Sequence, residues 1–533
     1  MSENFETRSV ENSETPRVHL ESIEFNDGTI INLEPNSIVV FTGANNCGKS
    51  QVLRDIEAYI KDPEAHTIVV KKGELNYSGK LNFDYFVKRA RLGDDGDIWL
   101  GGIGARYELW ENYWKDRSLY SLGSLFVNRL DTEERLVASK AQPLYSGNPS
   151  ENINPMQNLF DSNSVEDDIS RLFYEGFEQD LIVNRRYGSN VSLHIGNRPD
   201  WTGGREGEGE YYETVSKLPM IDTQGDGMRS FASILIDTFT SDTTVSLIDE
   251  PEAFLHPPQT RTIGRILAGN NQNQRQLFIA THSADFINGL LEANNNNVII
   301  IRINRQDSIN HMSSLDNKNI HELWQNPILR YSNVLNGLFH KKVIVCESDY
   351  DCLFYKALID EVYKDSQEII SNIMFTHSGG KDRMKDIVSA LRALRVSVIA
   401  IPDFDIINNK SKLSQLTDSY GIDKSEISTK LSVIYNTLNA DGGKIRDFIK
   451  KNGYSVLTGE AFNTYQELDQ LFKDYGLFIV PVGEIESFDK SITESKKEWI
   501  YSVIERGNLS DCDELKSARK FVEEIVSYTE NHN

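Results

Sequence analysis

Gly43-Ala44-Asn45-Asn46-Cys47-Gly48-Lys49-Ser50 follows the apolar run Ile38-Val39-Val40-Phe41 and leads into Gln51-Val52-Leu53-Arg54-Asp55-Ile56, whose apolar spacing is helical. The order is strand, glycine loop, helix. Successive backbone N–H groups in such a loop, together with a helix N-terminus, form a cup of positive potential that wraps a nucleotide's phosphates. At this spacing Lys49 is expected to reach the β- and γ-phosphates, and the Ser50 hydroxyl to hold Mg²⁺. Gly43, Asn45, Asn46, Gly48, Lys49, Ser50 and Gln51 are therefore the candidate contacts to ATP.

Working outward, 533 residues allow two to four domains, and 39% hydrophobic with 10% aromatic residues is ample for real cores. No stretch approaches the roughly 18 uninterrupted apolar residues that a membrane span needs, so no membrane partner is expected. The opening residues Met1-Ser2-Glu3-Asn4-Phe5-Glu6 are acidic and polar, unlike a secretory leader. A cytoplasmic protein is expected. Cys47, Cys346, Cys352 and Cys512 lack C-x-x-C spacing, which argues for reduced thiols rather than a zinc site or a disulfide framework. The net charge of -24 argues against a protein coated by nucleic acid over most of its surface, though not against a local groove. Short basic clusters occur at Lys88-Arg89-Ala90-Arg91, at Arg185-Arg186, and across Lys381, Arg383, Lys385, Arg392 and Arg395. Each also fits a solvated helix face.

Residues 1–16 read as a disordered tail. Strands are expected over Val18 to Phe25 and Thr29 to Leu33, joined by a turn at Asn26-Asp27-Gly28. A largely helical insertion follows from about 57 to 219, with a strand at Thr67 to Val70, helices at Tyr107 to Trp114 and Val165 to Gln179, and a Gly/Glu-rich loop at Thr202 to Gly209. It has no sustained heptad repeat.

The second informative stretch, Gln224-Gly225-Asp226-Gly227-Met228-Arg229-Ser230, opens the apolar helix Phe231 to Ile236. Such a loop can bind an anion or serve as a plain N-cap. Its position decides. Val245-Ser246-Leu247-Ile248-Asp249-Glu250 next reads as a buried strand ending in two acids, Asp249 placed to bind Mg²⁺ and Glu250 to orient the water that attacks the γ-phosphate. Pro251-Glu252-Ala253-Phe254-Leu255-His256-Pro257 and a helix follow, then a further buried strand, Gln276-Leu277-Phe278-Ile279-Ala280-Thr281-His282-Ser283. His282 falls where a γ-phosphate sensor would lie.

These four stretches, in this order, resemble the Walker A, signature, Walker B with D-loop, and H-loop of an ABC-type ATPase head. The resemblance implies a homodimer or higher oligomer whose heads close face to face, with Gly227 and Ser230 set against a partner's Lys49 and Gly225 a further candidate contact to the nucleotide. The signature differs from the transporter form Leu-Ser-Gly-Gly-Gln, and no convincing Q-loop glutamine lies between Glu57 and Pro219.

After Val298 to Ile303 and a connection to Leu338, a second parallel α/β pattern begins, so the fold class is α/β twice over. Expected limits are 17–338 for the ATPase, 339–490 for the second domain with a polar insertion at 408–473, and 491–533 for C-terminal amphipathic helices. Val343-Ile344-Val345-Cys346 ends at Glu347, with Asp351 four residues on; Val396 to Ile401 ends at Pro402-Asp403-Phe404-Asp405; Gly476 to Val482 ends at Gly483-Glu484-Ile485-Glu486. Carboxylates at the C-terminal ends of parallel strands converge on one crevice. Alternate residues of an extended segment share a side, so Asp403 and Asp405 are expected to share a metal with Glu347. All-oxygen ligands suit Mg²⁺ or Mn²⁺, and Asp351, Glu484 and Glu486 offer a second position.

Glu347 followed by the Asp-x-Asp strand end resembles a TOPRIM domain. An ABC head joined to a C-terminal TOPRIM resembles the OLD-family (overcoming lysogenization defect) ATPase-nucleases, over about residues 18–490. Ser348 stands where a glycine usually follows the glutamate. The family implies a DNA substrate, an assisting lysine for which Lys381, Lys496 and Lys497 are candidates, and a role in anti-phage defence with a further protein or RNA component. A rival reading is an ATP-driven DNA clamp with an inert second domain. The stretch of about 190 residues between Ser50 and Val245, free of heptads, excludes an SMC-type arm but not a RecF-like head. A topoisomerase would need a tyrosine-bearing cleavage domain, and a primase usually needs a zinc ribbon that these cysteines cannot make.

Overall fold

In the computed structural model the apolar run before the phosphate loop forms the strand Ile38–Gly43, buried along its whole length. The structure describes residues 15–529 apart from 88, 94, 101–102, 144–154, 187, 189, 201–208, 272–274, 307–308, 316–332, 440–445 and 495. The expected disordered tail and most of the Gly/Glu-rich loop lie outside the described residues. Two compact units are present, Met1–His321 and Glu322–Asn533.

In the first unit a six-stranded sheet runs in the order Ile309–Leu315, Val298–Gln306, Ile38–Gly43, Gln276–Ala280, Val245–Asp249, Val127–Leu130. All neighbours are parallel except the edge pair of Val298–Gln306 with Ile309–Leu315. Central parallel strands are covered on both faces, which is why they read as unbroken apolar runs. The pairing of Asp249 with Ala280 and of Ala280 with Phe41 brings three strand ends to one edge of the sheet. That edge carries the phosphate loop, the acid pair and His282.

A separate antiparallel sheet places Arg17–Phe25 between Ile30–Asn32 and Val70–Ser78. The strand expected at Thr67 to Val70 instead begins at Val70, because the Asp55 carboxylate takes the N–H groups of Ile68, Val69 and Val70 and so turns the chain there. The region from 57 to 219 is less helical than expected. Besides the helices Tyr107–Lys115, Thr132–Ala138 and Asn163–Phe177 it holds the hairpin Asp180–Asn184 with Asn190–Gly196, and it lends Val127–Leu130 to the main sheet.

In the second unit Lys342–Cys346 lies between Ile373–His377 and Ser397–Ile401, all parallel. The expected third strand at Gly476 to Val482 forms no regular strand: Gly476, Pro481 and Val482 lie in turns, and the stretch makes one bridge, Leu477 to Ala400. Backbone bonds from Ala400 to Gly476, Phe478 to Ala400, Val480 to Pro402 and Phe404 to Gly483 still hold it alongside. The helices Lys496–Arg506 and Lys516–Ser527 close this core, in which Phe354, Phe478, Trp499 and Phe521 pack together. Truncating such a buried ring typically costs about 3–5 kcal/mol. The polar insertion folds as helices, Lys410–Tyr420, Lys424–Asn439 and Gly459–Asp474 among them, each burying one apolar stripe. No helix among the described residues is long and apolar enough to cross a membrane.

Candidate functional site

The phosphate loop is held open by its backbone. Gly43 has φ +145° and a Cβ there would stand 2.3 Å from the Ile303 carbonyl oxygen; Gly48 has φ +105° and abuts the Asn310 amide. Asn46 also adopts a left-handed φ, of 61°. Three of the loop's carbonyls are met by side-chain donors. Asn310 Nδ2 serves Cys47 at 2.5 Å, and Lys49 Nζ donates to Gly43 and Ala44 at 3.0 Å each. Gln51 is occupied inside the head, bonding Asp55 at 2.8 Å. Ser50 Oγ donates to Asp249 Oδ1 at 2.9 Å, so two candidate Mg²⁺ ligands from distant stretches already touch. Burial pushes the Asp249 carboxyl upward, and the Ser50 bond opposes that shift.

Beyond Asp249 the chain kinks: Glu250 has φ 48°. Its carboxylate is partly exposed, 3.4 Å from His282 Nδ1. Glu252 is closer to the imidazole, at 3.0 Å, and also accepts from the His282 N–H and the Thr281 hydroxyl. That hydrogen bond, against the opposing effect of burial, holds the imidazole above its ordinary pKa. Glu252 thus fixes the histidine, a role no sequence pattern revealed.

The signature stretch divides. Gly225 is exposed, while a Cβ on Gly227 would lie 2.7 Å from the Phe254 carbonyl, so that glycine is needed for close packing against the loop after Glu250. Ser230 is fully buried and its hydroxyl has no hydrogen-bond partner. One helical turn into Asp226–Thr240 its side chain faces the core of this chain, and Gly225 and Asp226 are the exposed part of the loop.

In the second unit Glu347, Asp403 and Asp405 each place a carboxylate oxygen within 4.8 Å of the others. The route differs from the expected alternation. Asp403 ends the extended segment, but Asp405 sits in the 3-10 turn Phe404–Asn408, with Phe404 buried between the two acids. Glu347 Oε1 accepts from the Asp403 N–H at 2.9 Å, which fixes the spacing. Burial, then Asp403, push Glu347 up to about 7; burial pushes Asp403 up to about 6 against the pull of Lys496.

Lys381 contacts Asp405 and lies 3.7 Å from Glu347, while Lys496 pairs with Asp351 at 2.6 Å. Burial opposes the charge of Lys496, but Asp351 and Asp403 outweigh it and hold the ammonium above its usual range. Lys497 is exposed. Asp351 also completes a capping box with Ser348 on the helix Asp349–Val362, so its second oxygen is committed to the backbone. Glu484 lies 3.8 Å from Lys450, outside the three-acid group. Glu486 keeps a buried Oε2 with no hydrogen-bond partner, and burial raises its pKa.

The donor set fits a hard divalent cation. Two unit charges 4.8 Å apart repel by roughly 3–4 kcal/mol at an effective dielectric of about 20. Three ionised acids so placed need a cation or protons. Ligands of one Mg²⁺ are at most about 4.2 Å apart, so the observed spread suits one ion after a sub-ångström shift, or two ions about 3.5–4 Å apart.

Comparison with known proteins agrees with this division. Residues 144–288 match the family model described as "AAA domain, putative AbiEii toxin, Type IV TA system", and residues 338–405 match "Overcoming lysogenization defect protein-like, TOPRIM domain". The protein is a P-loop ATPase head followed by a TOPRIM domain. That pairing resembles the one found in the OLD-family ATPase-nucleases. A curated relative, the Old nuclease of Escherichia phage P2, is 22% identical over 301 residues, covering 52% of this chain and 48% of that protein. The chain thus spans about half the length of the curated relative it matches. Among solved structures, an Smc head domain with an extended coiled coil bound to the C-terminal domain of ScpA, from Pyrococcus furiosus, aligns with TM-score 0.36 and 12% identity over 58% of this chain and 99% of that one. The SMC head domain from Thermotoga maritima aligns with TM-score 0.30 and 10% identity over 56% and 98%.

Proposed function

We propose that this protein is an ATP-regulated, divalent-metal-dependent DNA endonuclease or nickase, working as a homodimer or higher oligomer through its ATPase heads. The observation that carries the reading is the group of Glu347, Asp403 and Asp405, within 4.8 Å of one another at the ends of adjacent strands and flanked by two partly buried lysines. These three acids would hold Mg²⁺ or Mn²⁺, with Glu486 beside them. The ion supplies charge neutralisation and an activated water at neutral pH. The chain's own part is to orient: the Asp403 N–H fixes Glu347, and Lys496, anchored on Asp351, presents a positive charge to the scissile phosphate and the charge that builds on it.

At the head, Lys49 and the phosphate-loop amides bind ATP, Ser50 and Asp249 share its Mg²⁺, Glu250 orients the attacking water and His282 senses the γ-phosphate. The nucleotide state of paired heads controls cutting. A cytoplasmic role in anti-phage defence, with a further protein or RNA component, follows from the family likeness. Supercoiled plasmid incubated with Mg²⁺ or Mn²⁺ tests the central reading: the parent chain relaxes or linearises it, and Asp403→Ala does not. If Asp403→Ala cuts as well as the parent, the assignment is wrong. A non-catalytic clamp would bind the plasmid with ATP and leave it intact with every divalent ion.

A further inference from the structure

Arg135 lies on the short helix Thr132–Ala138, directly after the strand that flanks Val245–Asp249, and its residue exposure is zero. A charge buried that deeply needs strong partners. Its guanidinium donates from Nη1 to the Asp249 carbonyl at 2.6 Å and from Nη2 to the Glu250 carbonyl at 2.8 Å. Those carbonyls belong to the two peptide planes on either side of the Glu250 Cα. The Glu250 N–H is also engaged, by the Ala280 carbonyl at 2.9 Å, and Pro251 has no N–H to give. A single guanidinium therefore pins both planes around a residue in a left-handed conformation that a glutamate does not prefer.

The same short helix is strapped to the signature helix Asp226–Thr240. Ser233 Oγ donates to the Arg135 carbonyl at 2.6 Å, and Arg229, paired with Asp226 at 2.9 Å, donates to the Leu136 carbonyl. A displacement of the signature helix is thereby passed along one hydrogen-bonded chain to the main chain of Glu250. We propose that Arg135 is the positioning residue for Glu250, aiming its carboxylate at the attacking water and making that aim depend on the signature helix. This rests on the ATPase reading above and adds a residue that touches neither nucleotide nor metal.

The experiment compares full-length parent, Arg135→Met and Arg135→Lys for steady-state ATP hydrolysis, binding of a fluorescent ATP analogue, and thermal melting. Misplacing a catalytic group by about 1 Å costs on the order of 100-fold in rate. Arg135→Met is expected to lose about that much kcat while KM and the analogue's Kd stay within about threefold. Arg135→Lys keeps the charge but cannot serve both carbonyls, and is expected to fall between. If the methionine variant does not fold, the lysine variant carries the test on the same split. Unchanged kcat, or a loss of kcat matched by an equal weakening of Kd, overturns the role. A parent chain that hydrolyses no ATP overturns the ATPase reading itself, which is a distinct result.

Discussion

Gly483→Ala is expected to disable the second unit while sparing the first. Gly483 has φ +116°, and a Cβ there would stand 1.9 Å from the Lys450 carbonyl oxygen and 2.6 Å from its carbon. An ordinary carbon–oxygen contact is about 3.3 Å, so the end of the helix Arg446–Asn452 has to withdraw by roughly 1.4 Å. Overpacking of this kind costs about 1–3 kcal/mol and the left-handed conformation about 1–2 more. For a unit of this size each kcal/mol lowers the melting temperature by about 2–4 °C, which gives a shift of roughly 4–20 °C. The Gly483 carbonyl also accepts the Phe404 N–H at 2.9 Å, so the turn carrying Asp403 and Asp405 moves with it. Differential scanning calorimetry together with plasmid and ATP hydrolysis assays on the full chain reads this out. DNA cutting falls by at least tenfold and ATP hydrolysis in the absence of DNA keeps its rate. A variant that melts within 1 °C of the parent and cuts normally would refute the packing argument.

Asn310→Ala removes the donor to the Cys47 carbonyl; leaving a buried acceptor unpaired costs about 1–3 kcal/mol, so ATP affinity measured by calorimetric titration drops by roughly 5- to 100-fold with DNA binding intact. Glu252→Gln keeps the acceptor for Thr281 and the His282 N–H but loses the charge that raises the imidazole. Because a raised histidine stabilises below its ordinary pKa near 6.5 and that gain is lost as pH rises through the raised value, the melting difference between parent and variant is largest near pH 6 and shrinks in alkaline buffer; a pH-independent difference would contradict it. Of the two lysines, Lys381 sits on the three-acid group and is displaced by an entering ion, whereas Lys496 is anchored on Asp351. Lys496→Met therefore abolishes cutting while the chain still takes up Mn²⁺, and Lys381→Met leaves Mn²⁺ binding equal or tighter.

What the sequence disclosed follows from how each element is buried. Ile38–Gly43, Val245–Asp249, Gln276–Ala280 and Lys342–Cys346 are covered on both faces, so their apolar runs and terminal glycines or acids stand out. Val127–Leu130, with Asn128 and Arg129 in its middle, is a sheet edge and carries no such run. Asp405 was legible as a member of the acid group but not its route, because a 3-10 turn leaves no periodic trace over so few residues. The helices of the polar insertion were hidden by composition: one narrow stripe, such as Leu413, Leu416 and Tyr420, is enough to bury each. Arg135, Glu252 and Asn310 act through main-chain carbonyls and N–H groups or a fixed histidine. Single polar residues doing this belong to no motif, and only a list of partners exposes them.

Glu347, Asp403 and Asp405 are expected to act as one cation site, on which DNA cutting depends. Titrating nucleotide-free protein with Mn²⁺, followed by isothermal calorimetry or by loss of the free-ion paramagnetic signal, measures that directly. The parent chain is predicted to take up at least one Mn²⁺ per subunit more than the double variant Asp403→Asn/Asp405→Asn, with both chains melting cooperatively. Equal stoichiometry and affinity in the two would contradict it.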